Sequence, residues 1–461
     1  MRSSSLGVGA LVAAIACGSS EPAHDGTSAA ATTAQDPTGS SSSTASGTTA
    51  SSLSATAADT TDAETADTGA KFDLSVSDVG IDACGCGSDL AFSYIWVANT
   101  SEGTVSKINT TSLLEEGRYV TRPDGAGSPS RTSVSLSGQA VAVANRNGGV
   151  VSIDSNTDAC DPMRNGVPGL QTSTGAADIL PWGQDDCVRW YTPFDTYNTQ
   201  RPVAWAPGTL DAESCAYSGE RLWTAGCDQT LAEAGSWVHR LDGDTGAVLD
   251  SVLVGEFACL LYNGPYGGAA DKDGNFWMIH TGVGKLTRVD AVSLATQTWD
   301  VPPLMWTYGI TVDSAGRPIV SSSGDYGAGF VAGAGGARFD PATEAWTTFV
   351  GEPFRSIGGL AQDANGQLWV SQWDIDGQPP AVRQVDGDTL TVGMAIPLEG
   401  TVKGVSVDVD GFIWAVTQSD RAYRIDPEDF TTEFYGGLVG AYTYSDMTGW
   451  ALQNAACTPE G

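Results

Sequence analysis

The sequence predicts an all-β fold, a β-propeller of seven blades, on three observations. First, a basic or polar residue, an apolar residue and an Asp or Asn close a short apolar run seven times. These are Lys107-Ile108-Asn109, Ser152-Ile153-Asp154, Arg240-Leu241-Asp242, Arg288-Val289-Asp290, Arg338-Phe339-Asp340, Gln384-Val385-Asp386 and Arg424-Ile425-Asp426. Their last residues are 45, 88, 48, 50, 46 and 40 apart, the period of one supersecondary unit per repeat. Second, each unit is rich in Val, Ile, Trp and Thr, the composition of strands. Third, a hairpin signature runs out of phase with the first motif: Asp271-x-x-Gly274-x-x-Trp277, Asp313-x-x-Gly316-x-x-Ile319, Asp363-x-x-Gly366-x-x-Trp369 and Asp408-x-x-Gly411-x-x-Trp414. Asp can bind the backbone of the following turn, and Gly supplies the positive φ of a tight hairpin.

The amino terminus reads as an export signal over residues 1–17. Arg2 precedes an apolar run from Leu6 to Ala16, too short to span a bilayer. The run ends Ala14-Ile15-Ala16-Cys17, which resembles a bacterial lipobox with Ala14 where Leu is usual; Cys17 would then carry lipid. An ordinary cleaved signal is the alternative. Residues 18–70 are mostly Ser, Thr, Ala, Gly and Asp and contain no Lys or Arg. They cannot bury enough apolar surface to offset ordering entropy, so a disordered linker is expected. The propeller is assigned to 71–461.

Each blade can be laid out as an inner strand, the Asp-x-x-Gly hairpin, a second strand, a third ending in the first motif, and an outer strand. Small residues such as Gly267-Gly268-Ala269-Ala270 suit an inner strand crowded round the axis. The chain enters near Ser93 on a second strand, so the first blade lacks its inner strand. The segment Tyr444 to Leu452 is predicted to supply it, closing the ring without a free edge. The 88-residue interval marks an insertion at about 157–200, assigned to the third unit. It holds Cys160, Cys187, Trp182, Trp190, Tyr191, Phe194 and Tyr197, aromatics that either bind a partner or pack on themselves.

The 461-residue chain has a net charge of −33, with 22 basic against 55 acidic residues. Such a field repels phosphate backbones and anionic lipid, so nucleic acid is excluded as a partner and membrane contact is expected only through a lipid anchor. Nine cysteines are present. Setting Cys17 aside leaves Cys84, Cys86, Cys160, Cys187, Cys215, Cys227, Cys259 and Cys457, an even number suited to disulfides in an oxidising compartment. A zinc site is disfavoured, because Cys84-Gly85-Cys86 is one residue too tight and no His lies near a Cys pair. Cys457 is expected to pair with Cys84 or Cys86, across the first blade's missing hairpin.

The pairing of Asp-x-x-Gly-x-x-Trp with a downstream Arg-apolar-Asp, over about 90–455, resembles the virginiamycin B lyase (streptogramin lyase) family and the related NHL-repeat propellers. That resemblance implies a propeller. It further implies catalysis by His and Glu on one face with magnesium, the Glu three residues after the second-strand Trp. The corresponding residues here are Asn99, Asn145, Gly226, His280, Ser322, Gln372 and Thr417, none a carboxylate. His280 is the only candidate general base, or else a structural histidine at a strand end. A lactonase-like hydrolase could use Asn99 and Asn145 near the channel with calcium.

The expectation is therefore an exported, lipid-anchored monomer in the bacterial cell envelope, acting as a binding module. Its face would carry Asn99, Asn145, His280, Ser322, Gln372 and Thr417 at second-strand ends. Tyr266, Tyr308, Arg355, Lys403 and Tyr444 would begin inner strands on the same face. Polar groups with aromatics suit a peptide, a glycan or a small polar ligand; a surface protein is another candidate partner. The alternative is a lyase or hydrolase using calcium or magnesium, and a third reading is a structural surface protein. No firm cofactor is assigned.

Overall fold

In the computed structural model the described residues are 93–457, except 212–213, 215, 229–234, 256–263, 302–306, 323–334, 353, 355–357 and 374–376. Cys17, the linker, Cys84, Cys86, Cys215, Cys259 and Arg355 lie outside them.

Seven antiparallel sheets follow one another along the chain as the blades of a propeller. The first has three strands, Tyr94–Asn99, Thr104–Asn109 and Glu115–Val120. The fourth, Gly264–Ala270, Phe276–Thr281, Lys285–Val289 and Thr296–Asp300, shows the regular four-strand order from axis to rim.

The hairpin motif does more than turn the chain. One carboxylate oxygen of Asp408 accepts the N–H groups of Asp410 and Phe412 (3.0 and 2.9 Å), and the other accepts the Trp414 indole N–H at 2.7 Å. Asp271 holds Trp277 (2.9 Å) and Asp363 holds Trp369 (2.8 Å) in the same way. Where Ile319 replaces Trp, the Arg317 guanidinium takes the second oxygen of Asp313 at 2.8 Å. The glycines of these turns sit at φ between 77° and 87°, where a Cβ would be strained.

Three of the four arginines of the third-strand motif join neighbouring blades. Arg240 donates to the Ala291 carbonyl of the fourth blade, and Arg338 to the Gly387 carbonyl of the sixth. Arg424 reaches Thr110 O at 2.7 Å, tying the last blade to the first.

Closure differs in form from the expected strand. The tail runs beside Tyr94–Asn99, with Trp96 N–H donating to Met447 O (2.9 Å) and Tyr442 N–H to Ala98 O (3.2 Å). A bridge joins Asn99 and Ala441. The ladder is irregular because the Thr443 hydroxyl, not its carbonyl, accepts the Ala98 N–H at 2.7 Å. Trp450–Ala456 is a helix rather than a strand continuation. Gly449 turns the chain at φ 90°, and the Asp446 carboxylate accepts the N–H groups of Gly449, Ala451 and Leu452 (2.9–3.2 Å). A carboxylate there satisfies first-turn donors.

The surplus of the 88-residue interval is divided, not a single insertion in the third blade. Most of it separates the third and outer strands of the second blade, Val150–Asp154 and Val188–Thr192. The remainder forms a small hairpin, Thr209–Asp211 with Ala216–Ser218, between the inner and second strands of the third. A disulfide Cys160–Cys187 staples the long loop. Its aromatics pack inward: Trp182 meets Tyr191 edge-on at 5.3 Å, and Trp190 donates to Gly243 O at 2.9 Å. Cys227 and Cys457 are disulfide-bonded too. Among the described residues no helix is long and apolar enough to cross a membrane.

Candidate ligand-binding site

Second-strand ends and inner-strand beginnings meet on one face of the ring, and the two sets behave differently. Those at second-strand ends are buried and engaged in turns. Asn99 donates to Ser106 Oγ (2.7 Å) and accepts Val439 N–H (2.9 Å). Asn145 donates to Thr121 O (2.9 Å), Thr417 to Arg421 O (3.1 Å), and Gln372 to Pro379 O (2.8 Å). Ser322 is fully buried.

His280 is fully buried beside Ser236, and burial pushes its pKa down to about 3. His239, held between Tyr197 and Ser251 at 2.8 Å each, falls to about 4 for the same reason. A lowered histidine pKa means that the unfolded chain binds the proton first. Its stabilising contribution is whole above about pH 6.5 and is lost as pH falls toward the folded value. His280→Asn removes the buried titrating ring, so any deficit it shows relative to wild type at pH 7 should shrink by up to about 1.4 kcal/mol per pH unit below 6.5, measured by urea unfolding across pH. A constant deficit would contradict a neutral buried imidazole.

The inner-strand starts turn toward the axis. Register irregularities recur between Pro129 and Arg131, Pro265 and Gly267, Thr307 and Ile310, and Val402 and Gly404. Such bulges re-aim side chains, and here they coincide with Tyr266, Tyr308 and Lys403. The tail adds Tyr442 and Tyr444. The Tyr266 and Tyr308 rings lie 4.6 Å apart, and Tyr308 stacks on Tyr444 at 5.0 Å. The Tyr442 hydroxyl meets those of Tyr308 and Tyr266.

Four cations enter this cluster, of which sequence reasoning found only Lys403. Lys403 Nζ lies 3.1 Å from the Trp373 ring centroid. Arg131, 1 % exposed, lies 3.0 Å over Tyr444 and donates to the carbonyls of Tyr444 (2.7 Å) and Tyr266 (2.5 Å). Burial lowers its pKa to about 10, so it stays charged at neutral pH. Arg201 packs 4.6 Å over Tyr266, and Arg146 packs 4.8 Å over Tyr442. Burial, and then the neighbouring Arg201, lower the pKa of Arg146. Burial also raises Tyr442 and Tyr444, keeping their hydroxyls neutral. Arg131 and Arg201 fall outside both repeat motifs. Their signal was position alone, as the inner-strand starts of blades two and three.

Behind the cluster the axis is filled. The tail and its helix leave a cavity of only about 30 Å³ among Ala204, Ala269, Thr311, Leu360 and Leu452, room for a water or so.

Among the described residues no three His, Cys, Asp or Glu side chains come together that could hold a metal. The mouth offers guanidinium, ammonium and phenol, a donor set that repels a divalent cation rather than receiving one. Magnesium or calcium does not fit these residues.

No protein-family model and no curated protein matches the chain. Among solved structures, a functionally unknown protein from Desulfotomaculum acetoxidans is similar at TM-score 0.50 and 9% identity, over 76% of this chain and 96% of that one. Virginiamycin B lyase from Staphylococcus aureus is similar at TM-score 0.43 and 14% identity, over 67% and 84%. Dihydro-heme d1 dehydrogenase NirN in complex with DHE is similar at TM-score 0.45 and 12% identity, over 74% of this chain but only 63% of its own length. These likenesses are of fold, and the fold this chain shares with its structural neighbours is the β-propeller.

Proposed function

We propose that the protein is an exported, lipid-anchored binding module that takes a small polar ligand at the mouth of its propeller axis. The supporting observation is the convergence there of four tyrosines, Trp373 and four cations, in front of an axis filled by the chain's own tail. Tyrosine and tryptophan offer broad amphipathic contact at low entropic cost. A peptide, a glycan or a surface protein presenting a polar group would use the same rim. The lyase-like or lactonase-like alternative needs a metal-binding donor set, which the described residues of this mouth do not supply. The Cys160–Cys187 disulfide supports an oxidising, exported setting.

Trp373 is partly exposed on the rim, so Trp373→Ala tests the site. It should weaken binding of any hit from a glycan, peptide and metabolite panel about tenfold in the folded variant, roughly the 1.4 kcal/mol of one lost aromatic contact. Undiminished binding would put the site elsewhere. For the anchor, Cys17→Ser should move the protein from membranes to the soluble fraction; a wild-type protein already soluble after signal cleavage would defeat lipidation.

A further inference from the structure

We infer that the ligand carries an oxyanionic group, a carboxylate, phosphate or sulfate, received by Arg201 and Arg131 beneath the tyrosine rim. This rests on the axis mouth being the binding face.

The first argument is charge pairing. Acidic residues outnumber basic ones 55 to 22, and several arginines elsewhere pair with them. Arg118 pairs with Glu115 at 2.7 Å, Arg164 with Asp154 at 3.0 Å, Arg240 with Asp250 at 2.6 Å and Arg317 with Asp313 at 2.8 Å. At the mouth Arg131, Arg146 and Arg201 crowd together, and none of them forms an ion pair among the described residues. Like charges so placed repel, most strongly where water is excluded. An anion would relieve that repulsion.

The second argument is unmet hydrogen bonding. Arg201 is only 7 % exposed, yet its Nε and Nη1 meet no well-placed acceptor; Arg131 Nε is likewise buried and unpartnered, and the Tyr444 hydroxyl has only the Arg201 guanidinium close by. Buried donors are normally satisfied, and a cluster of exceptions in one place calls for an explanation, of which a bound water or ion is one. These four atoms belong to side chains already in contact through Tyr266 and Tyr444, so one small group could meet several of them. Charge-assisted bonds from guanidinium to an oxyanion are the strong class. The Tyr266, Tyr308 and Tyr442 rings, with Trp373 beside them, would cover the uncharged remainder. The net negative field makes the chain a poor general anion binder, which confines any such binding to this local cluster.

The test uses the purified full chain. Inorganic phosphate, sulfate and acetate are titrated by calorimetry at constant ionic strength against chloride, with glucose as a neutral probe. At least one oxyanion should bind one to one and raise the melting temperature. Arg201→Gln should lower its affinity at least tenfold, while Arg189→Gln, which breaks a surface pair with Asp154 and Asp244, should leave it unchanged. In case Arg201→Gln folds poorly, the wild-type chain labelled with 5-fluorotryptophan gives a second reading. The Trp373 resonance, assigned with Trp373→Phe, should shift with the oxyanion. Failure of all three oxyanions to bind, or equal binding by a folded Arg201→Gln, overturns the inference. If neutral glycans or peptides move the Trp373 resonance and oxyanions do not, the binding face stands and the anion assignment falls. If nothing moves it, both fall.

Discussion

Ending the chain after Gly440 is expected to destabilise the propeller by on the order of 5 kcal/mol or more, enough to leave many domains unfolded. The lost segment is a closing element. Ala441, Tyr444, Met447, Leu452 and Ala455 are all at most 5 % exposed, and full burial of each larger apolar side chain is worth about 1.5–3 kcal/mol. Trimming also strips the ladder partners of Trp96 and Ala98, leaving the first blade three strands with an open inner edge. Arg131 would lose the Tyr444 carbonyl, which adds the cost of a buried cation with fewer acceptors. Urea and thermal unfolding of the trimmed and full chains measure this, with Cys457→Ser as the control that separates packing from the disulfide. A trimmed chain that melts with the full one would refute closure by the tail.

The blades were legible because their punctuation is local. The Asp-x-x-Gly turn marks the first hairpin of blades four to seven, and the residue–apolar–Asp motif follows it on the third strand of each. Hidden from sequence was the second half of each motif's work. The outer oxygen of Asp271, Asp363 or Asp408 binds an indole six residues on, and Arg240, Arg338 and Arg424 reach into the next blade. These bonds depend on how strands and blades stack. The tail's course was half legible. Its surplus length implied closure, but strand and helix compete in Gly449-Trp450-Ala451-Leu452, and Asp446 capping the turn decides for helix.

Of the candidate site, the sequence pointed to Tyr266, Tyr308, Tyr444 and Lys403, but not to Tyr442 or Trp373. The polar ring at the second-strand ends looked like a binding surface because Asn, Gln and Thr are ligand-binding types. In the folded chain Asn99, Asn145 and Thr417 spend their hydrogen bonds on neighbouring strands and turns, and the Gln372 amide donates to Pro379 O. Arg131 and Arg201 stand at the inner-strand starts of blades two and three and Arg146 in a hairpin, and neither repeat motif contains them. Only closing the ring brings them to the same mouth.

Cys457 is expected to be linked to Cys84 or Cys86, joining the two ends of the chain at the first blade. In the regular blades a hairpin connects the inner strand to the second strand. In the first, the tail and Tyr94–Asn99 come from opposite ends of the sequence, so that joint is covalently open. Cys457 closes the terminal helix and is disulfide-bonded; Cys160 and Cys187 are paired with each other. Cys84 and Cys86, outside the described residues, precede Tyr94 by about ten residues in sequence, within reach of the joint at roughly 3.3 Å per extended residue. A bond there would close a loop of roughly 370 residues, worth on the order of 5 kcal/mol through the entropy of the unfolded chain. Cys457→Ser should then lower stability by several kcal/mol and free one thiol in the 84/86 pair. Non-reducing peptide mapping decides the partner. A Cys457 peptide joined to Cys215 or Cys259 would tie the terminal helix to another part of the ring and leave the first blade held by hydrogen bonds and packing alone.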